Sequence, residues 1–436
     1  MEIINKKGLI LTLILLFIIL SACSNKQGVN DVSKGKDKSK KTVSLETVEG
    51  IWEGFINVPD QPLPITIQFT KEKGSISIPI QGLNDHPLTN ITLNDTDITF
   101  NMPLPGQKIS FLGKLENEKI AGTFTQQGQS FPFEVSKVNE LEGTAEHLEE
   151  IEVKGGKMIG QIEVPEGEGP FPLMIILAGS GPTDRNGNSL VMVGKNNSLK
   201  MIAEELAAEG IASIRYDKRG VGQNIDLATK EVELRFHHYI EDAEAWANFA
   251  KEDERFSDIG FIGHSEGSLI GMVAAKEVDA SIFISLAGAG RPIDEILKEQ
   301  LSAQLPNNLM EESQKILEKL KQGLQVEEVS NELQSIFRPS VQPYMISWLQ
   351  YNPAEQIQQL DSRVLIVNGT FDMQVPSNDA KLLHQAKGDS ELLIIEKMNH
   401  VLKESPVDEA GNMATYTDPS LPLADGLVEG ILKFIK

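Results

Sequence analysis

The chain has 436 residues, with 40 Lys and Arg against 63 Asp and Glu, a formal charge of −23, and one cysteine. So acidic a chain excludes a nucleic-acid binder, which needs a basic face for phosphates, and a lone cysteine excludes an internal disulfide, a cysteine-rich zinc site and an iron–sulfur cluster. With 40% hydrophobic residues and roughly 100–200 residues per domain, the length predicts two or three domains, each able to bury a core.

The first segment reads as an address rather than as part of a fold. Lys6 and Lys7 precede an apolar run of 12 residues from Leu9 to Leu20. As a helix that run spans about 18 Å, short of a hydrocarbon core of about 30 Å, so residues 1–22 have the pattern of a secretory signal peptide. The Leu20-Ser21-Ala22-Cys23 run resembles the lipobox of bacterial lipoproteins. That resemblance implies a lipid on Cys23 and a protein anchored to the cell membrane on its extracytoplasmic side. Residues 23–45 then read as a polar, flexible tether, whose Lys34, Lys36, Lys38, Lys40 and Lys41 suit an anionic lipid surface.

From 46 to 138 the apolar period is two. Ile65, Ile67 and Phe69 alternate, then Ile76, Ile78 and Ile80, then Ile98, Phe100 and Met102, with turn residues at 73–74, 94–95, 105–106 and 127–128. Short strands at this spacing predict an antiparallel barrel or sandwich. His86 is expected alone in a loop, with no acid or base partner.

From about 149 to 436 the texture changes to apolar strands alternating with helical patterns, which predicts βαβ units and a mostly parallel sheet. Leu173–Leu177, Ile211–Tyr216, Ile259–Gly263, 281–286, Val364–Val367 and Leu392–Ile395 read as strands. At the end of the third stands Gly263-His264-Ser265-Glu266-Gly267. This pattern suits a sharp strand-to-helix turn that exposes a serine hydroxyl and aims the next backbone N–H at a developing oxyanion. Such a serine needs a base, and the base an orienting acid, in the chain order Ser, Asp, His. Asp372 lies just past the strand ending at Val367, and His400 follows the last strand. His264 sits inside the turn, and His384 and the His237-His238 pair lie on helices, so Ser265, Asp372 and His400 are the expected catalytic residues. The backbone N–H groups of Glu266 and of Ser180, in the loop Ala178-Gly-Ser-Gly-Pro-Thr-Asp-Arg-Asn-Gly187, are the expected oxyanion donors, with Gly181 as neighbour. An adjacent histidine pair diverges on a helix, so no metal site is expected there, and the triad chemistry calls for no cofactor.

Between Gly290 and Asn352 three amphipathic stretches interrupt the strand order and predict a helical cap. Met345, Trp348, Leu349 and Tyr351 are its expected pocket walls. Glu266 and the negative field are expected to disfavour anionic substrates.

Residues 46–436 resemble bacterial α/β-hydrolase esterases with an N-terminal β domain. The resemblance rests on Gly179-Ser-Gly-Pro-x-Asp-Arg185, Tyr216-Asp-Lys-Arg-Gly-Val-Gly222, Gly263-His-Ser-Glu-Gly267, Asn368-Gly-x-x-Asp372-x-x-Val-Pro376 and Asn399-His400. It implies a serine carboxylesterase that cleaves small-molecule esters with short acyl groups and needs no metal. Ala178 departs from the family pattern, where a His precedes the glycine, and so does Asn186, where Asp is common. Two other enzymes fit the same triad: an aminopeptidase, whose substrate ammonium would need Glu266 or Asp184, or an envelope acyltransferase. A non-enzymatic envelope-binding lipoprotein working through its β domain is the third alternative.

Overall fold

The computed structural model describes residues 45–436 except 59–62, 72, 79–82, 105–106, 138–146, 191–193 and 303–304. The signal segment, Cys23, the tether lysines, Ile80 and the 105–106 turn lie outside the described residues. The chain divides into two compact units at Gly143/Thr144. Among the described residues no helix is long and apolar enough to cross a membrane.

The first unit is one antiparallel sheet. Its strands are β1 (Gly50–Ile56), β2 (Leu63–Phe69), β3 (Gly74–Ile78), β4 (Leu83–Pro87), β5 (Thr89–Asn94), β6 (Asp97–Asn101), β7 (Ile109–Glu116), β8 (Lys119–Gln126) and β9 (Gln129–Lys137), in the order β4-β3-β2-β1-β9-β8-β7-β6-β5. Alternation places Ile65, Ile67, Phe69, Ile98 and Phe100 on the buried face. Phe69 on β2 and Phe100 on β6 are five strands apart in that order, about 24 Å on a flat sheet, yet their ring centroids lie 5.7 Å apart. The sheet therefore curls nearly into a barrel around one apolar core. Two expectations change here. Leu45, assigned to the tether, is buried with its N–H on the Lys71 carbonyl at 3.2 Å. His86 lies on β4 rather than in a loop, its Nε2 2.6 Å from the Pro103 carbonyl.

The second unit is a three-layer α/β fold, the architecture of the α/β-hydrolases. Its strands are β10 (His147–Val153), β11 (Gly156–Glu163), β12 (Phe171–Leu177), β13 (Ala212–Tyr216), β14 (Phe256–His264), β15 (Ile282–Leu286), β16 (Arg363–Gly369) and β17 (Glu391–Ile395). They are ordered β10-β11-β13-β12-β14-β15-β16-β17, antiparallel through β10, β11 and β13 and parallel from β13 onward. The central strands are apolar on both faces, as buried parallel strands must be. Leu173, Ile175, Leu177, Phe261 and Phe283 face one core with helices α2 (Phe236–Glu252) and α3 (Glu266–Glu277). Met174, Ile176, Ile262 and Ile284 face the other, with α1 (Ser198–Ala208) and the C-terminal helix Leu427–Ile435.

β12 has β13 on one side and β14 on the other, so the loops leaving β12 and β14 part around a crevice at the carboxyl ends of the strands, where open α/β sheets place their ligands. Between β15 and β16 run the cap helices α4 (Ile293–Ser302), α5 (Asn307–Lys321), α6 (Gln334–Phe337), α7 (Gln342–Trp348) and α8 (Pro353–Gln358). Their apolar faces continue the α2/α3 core. Phe236 of α2 stacks on Trp348 of α7 with centroids 5.5 Å apart and planes 7° apart, a pair worth about 0.5–1.5 kcal/mol beyond its buried area.

Candidate active site

Ser265 occupies the one-residue turn between β14 and α3, at φ 55° and ψ −119°. A serine held there stores about 1–3 kcal/mol of backbone strain. The strain persists because the turn is locked from both sides: the Ser265 N–H bonds to the Leu286 carbonyl at 2.9 Å, and the flanking glycines leave no room to relax. A Cβ on Gly267 would sit 2.4 Å from the Leu177 carbonyl oxygen, and one on Gly263 would sit 2.3 Å from the Gly267 carbonyl oxygen. The same turn leaves the Glu266 N–H in the first turn of α3, where helix N–H groups have no intrahelical acceptor.

Ser265, His400 and Asp372 come together although 135 and 28 residues separate the bonded pairs. His400 Nε2 lies 3.1 Å from Ser265 Oγ, and His400 Nδ1 lies 2.9 Å from Asp372 Oδ2. A carboxylate can only accept, so Nδ1 carries the proton and Nε2 is left to accept from the serine hydroxyl. Asp372 is held in turn: its Oδ1 accepts the N–H groups of Gln374 at 2.9 Å and Val375 at 2.8 Å. Asp372 and His400 are buried. His264, next to the serine, donates from Nε2 to the His400 carbonyl at 2.7 Å. Burial and the neighbouring His400 push its pKa down to about 4, so it is a neutral prop for the loop carrying His400.

The β12 loop lies against this turn. A Cβ on Gly179 would be 3.3 Å from Ser265 Cβ, and Ser180 lines the pocket beside Ser265. Thr183 Oγ1 donates to the Ser180 carbonyl at 2.9 Å. The Glu266 side chain turns away from its backbone into a buried cluster. Lys218 Nζ donates to Glu266 Oε2 at 2.7 Å and to the Gly179 carbonyl at 3.0 Å, and sits 4.2 Å from the Tyr239 ring centroid. The Tyr344 hydroxyl of α7 donates to Glu266 Oε1, and burial beside that carboxylate raises the Tyr344 pKa well above the usual phenol value.

This geometry corrects the electrostatic expectation for Glu266. Glu266 is buried and paired with a lysine, so it offers the pocket neither a repulsive charge for anions nor a free carboxylate for a substrate ammonium. Asp184 is likewise committed, its oxygens accepting from the N–H groups of Asn186 and Asn188 at 2.9 and 2.8 Å and from Asn188 Nδ2 at 3.0 Å.

The pocket at Ser265 encloses about 550 Å³, open solvent at its mouth included. Leu269, Ile293, Ile296, Trp348 and Val375 form apolar walls, interrupted by Arg291, Gln300 and Gln374. Of the four walls expected from sequence, Trp348 alone belongs to this lining. Met345 and Leu349 are buried in the main core, and Tyr351 packs against it. The missed Arg291 is paired, Nη2 with Asp379 Oδ2 at 2.8 Å and Nε with Asp379 Oδ1 at 3.1 Å. His237 and His238, expected to diverge, hold their rings edge to face at 4.7 Å.

Comparison with known proteins bears on this site. Residues 194–405 match the family described as serine aminopeptidase, S33 (Hydrolase_4). Over 328 residues the chain is 30% identical to esterase EstD of Thermotoga maritima, covering 71% of this chain and 74% of that one. Among solved structures it is similar to Est1E from Butyrivibrio proteoclasticus, at a TM-score of 0.43 and 19% identity over 66% of this chain and 98% of that one. It is also similar to a thermophilic esterase from Thermogutta terrifontis, at a TM-score of 0.40 and 14% identity over 66% of this chain and 98% of that one.

Proposed function

The chain belongs to the α/β-hydrolase family of serine hydrolases, and on that premise we propose that it cleaves carboxylic esters with short acyl groups through an acyl-enzyme on Ser265. The observation that carries this reading is the unbroken hydrogen-bond chain from Ser265 Oγ through His400 to Asp372, opening on a largely apolar pocket. In the cycle, His400 Nε2 takes the hydroxyl proton as Ser265 Oγ attacks the ester carbonyl. Asp372 stabilises the imidazolium, and His400 then protonates the departing alkoxide. The N–H groups of Glu266 and Ser180 hold the tetrahedral oxyanion; losing one such donor typically costs about 10²–10³ in kcat. Water, activated by the same imidazole, releases the acid.

Polar groups at Arg291, Gln300 and Gln374 interrupt the apolar wall. They leave no continuous apolar surface along which a long alkyl chain could be buried, which favours short acyl groups. With Glu266 and Asp184 both engaged, an ester fits better than a peptide carrying a free ammonium. Aryl esters of increasing acyl length, assayed beside amino-acid anilides, test this: hydrolysis should peak at short acyl chains with anilides turned over far more slowly, and faster turnover of anilides would contradict it.

The same reading includes the address. Cys23, closing the Leu-Ser-Ala-Cys run, carries the lipid that holds the enzyme on the extracytoplasmic face of the membrane. Cys23→Ser should move the protein from the membrane fraction to the aqueous one, and an unchanged distribution would refute the anchor.

A further inference from the structure

We propose that Lys218 is a positioning residue for the oxyanion site, its ammonium pinning the Gly179 carbonyl so that the Ser180 N–H faces the substrate oxygen. The proposal rests on the ester-hydrolysis reading and goes beyond it by naming what holds the second donor in place.

Three observations converge. First, Lys218 Nζ donates to the Gly179 carbonyl at 3.0 Å, and in a planar trans peptide the C=O of one residue and the N–H of the next point in opposite directions. Anchoring that carbonyl on the buried lysine therefore turns the Ser180 N–H to the other side, where Ser180 lines the pocket beside Ser265. Second, the next carbonyl is anchored too, by Thr183 Oγ1 at 2.9 Å, so the peptides on both sides of Ser180 are restrained from rotating. Third, the same ammonium donates to Glu266 Oε2 at 2.7 Å, and Glu266 supplies the other oxyanion N–H. One cation with three donors and no acceptor thus ties together the two backbone segments whose donors must converge on one oxygen. Hydrogen bonding of a cation to an amide oxygen also polarises that amide, strengthening its N–H as a donor.

Lys218 is itself fixed. It follows β13, is buried, and lies over the Tyr239 ring at 4.2 Å. The Tyr344 hydroxyl, from the cap, closes the cluster on Glu266. None of these side chains is within the Ser265–His400–Asp372 chain, so their role is separable from proton transfer.

The test uses the full chain. Lys218→Met alone strands a buried carboxylate and is expected to destabilise the fold, so the informative variant is Lys218→Met with Glu266→Gln, which removes both charges while keeping similar shapes and a partner for Tyr344. Steady-state kinetics on a short-chain aryl ester are compared with the affinity for an aryl trifluoromethyl ketone, whose serine adduct bears the oxyanion. For a folded double variant the proposal expects kcat to fall about 10–100-fold, somewhat less than deletion of a donor outright, with KM nearly unchanged and ketone affinity falling by the same factor as kcat. A double variant with wild-type kcat and ketone affinity would overturn the proposal and reduce Lys218 to a counter-ion for Glu266. A loss confined to KM, with ketone affinity kept, would overturn it equally. A wild-type enzyme inert toward every ester would instead bring down the hydrolase reading on which the proposal rests.

Discussion

Replacing Asp372 by Asn separates the geometry of the triad from its proton placement. The Asp372 Oδ1 atom accepts two backbone N–H groups, from Gln374 and Val375, at 2.9 and 2.8 Å. In the variant the amide oxygen must stay on those two donors, which points the NH₂ group at His400 Nδ1. That nitrogen must then give up its proton, the proton moves to Nε2, and Nε2 can no longer accept from Ser265. In the serine-protease case the wrong tautomer costs about 10⁴ in kcat, or roughly 5 kcal/mol at 1.36 kcal/mol per decade. The escape route is to flip the amide, but that sets NH₂ against the buried Val375 N–H and the half-buried Gln374 N–H, at about 1–3 kcal/mol each. The penalty therefore lies between about 30-fold and 10⁴ in kcat whichever way the amide settles. The assay is kcat on a short-chain aryl ester at neutral pH, with melting temperature as the control for folding. Activity within tenfold of wild type in a well-folded Asp372→Asn protein would refute the reasoning.

Gly267→Ala should abolish folding of the turn or shift it enough to lose activity, since its Cβ would lie 2.4 Å from the Leu177 carbonyl oxygen and 2.6 Å from that of Ala178; a variant with normal melting temperature and kcat would show that the turn has slack. Trp348→Ala opens the acyl wall and removes a stack on Phe236, so it should shift the acyl-length optimum upward and cost about 3–5 kcal/mol of stability, both read from the ester series and a denaturant titration. For pH, His264 has a folded pKa near 4 against a reference of 6.5, so the native state favours the neutral ring. Its contribution to stability is complete above pH 6.5 and is lost as pH falls from there toward 4. At pH 5 the deficit is about 2 kcal/mol, and His264→Gln should lose that much less stability than wild type between pH 7.5 and pH 5; equal losses would contradict the assignment.

The residues that were legible in the sequence are those with a local signature. Alternating Ile65, Ile67 and Phe69 identify a one-sided strand, and the doubly apolar run at 173–177 identifies a buried one, because period and burial are local properties of a strand. The glycines around Ser265 were readable because the turn itself forbids side chains. Two kinds of feature escaped. The β10–β11 hairpin carries Glu150 and Glu152 on exposed positions and Glu149 on a half-buried one, and at the sheet edge its buried apolar residues thin to Ile151, Met158 and Ile162. The Lys218–Glu266 and Arg291–Asp379 pairs join residues 48 and 88 positions apart, and a charge leaves no periodic trace of the partner it will meet. That is why Glu266 read as a free acid. The cap shows the same limit: helical period marks Met345 and Leu349 as buried, but it does not say whether they face a core or a pocket.

The central claim is that Ser265 is the nucleophile of a Ser–His–Asp hydrolase, and the most direct measurement of it is covalent. The full-length protein is treated with a fluorophosphonate probe, digested, and the modified peptide is sequenced by mass spectrometry. The account predicts one adduct, on Ser265, absent from Ser265→Ala and slowed in His400→Ala. A wild-type protein that stays unlabelled while folded, or an adduct mapped to another residue, would contradict it.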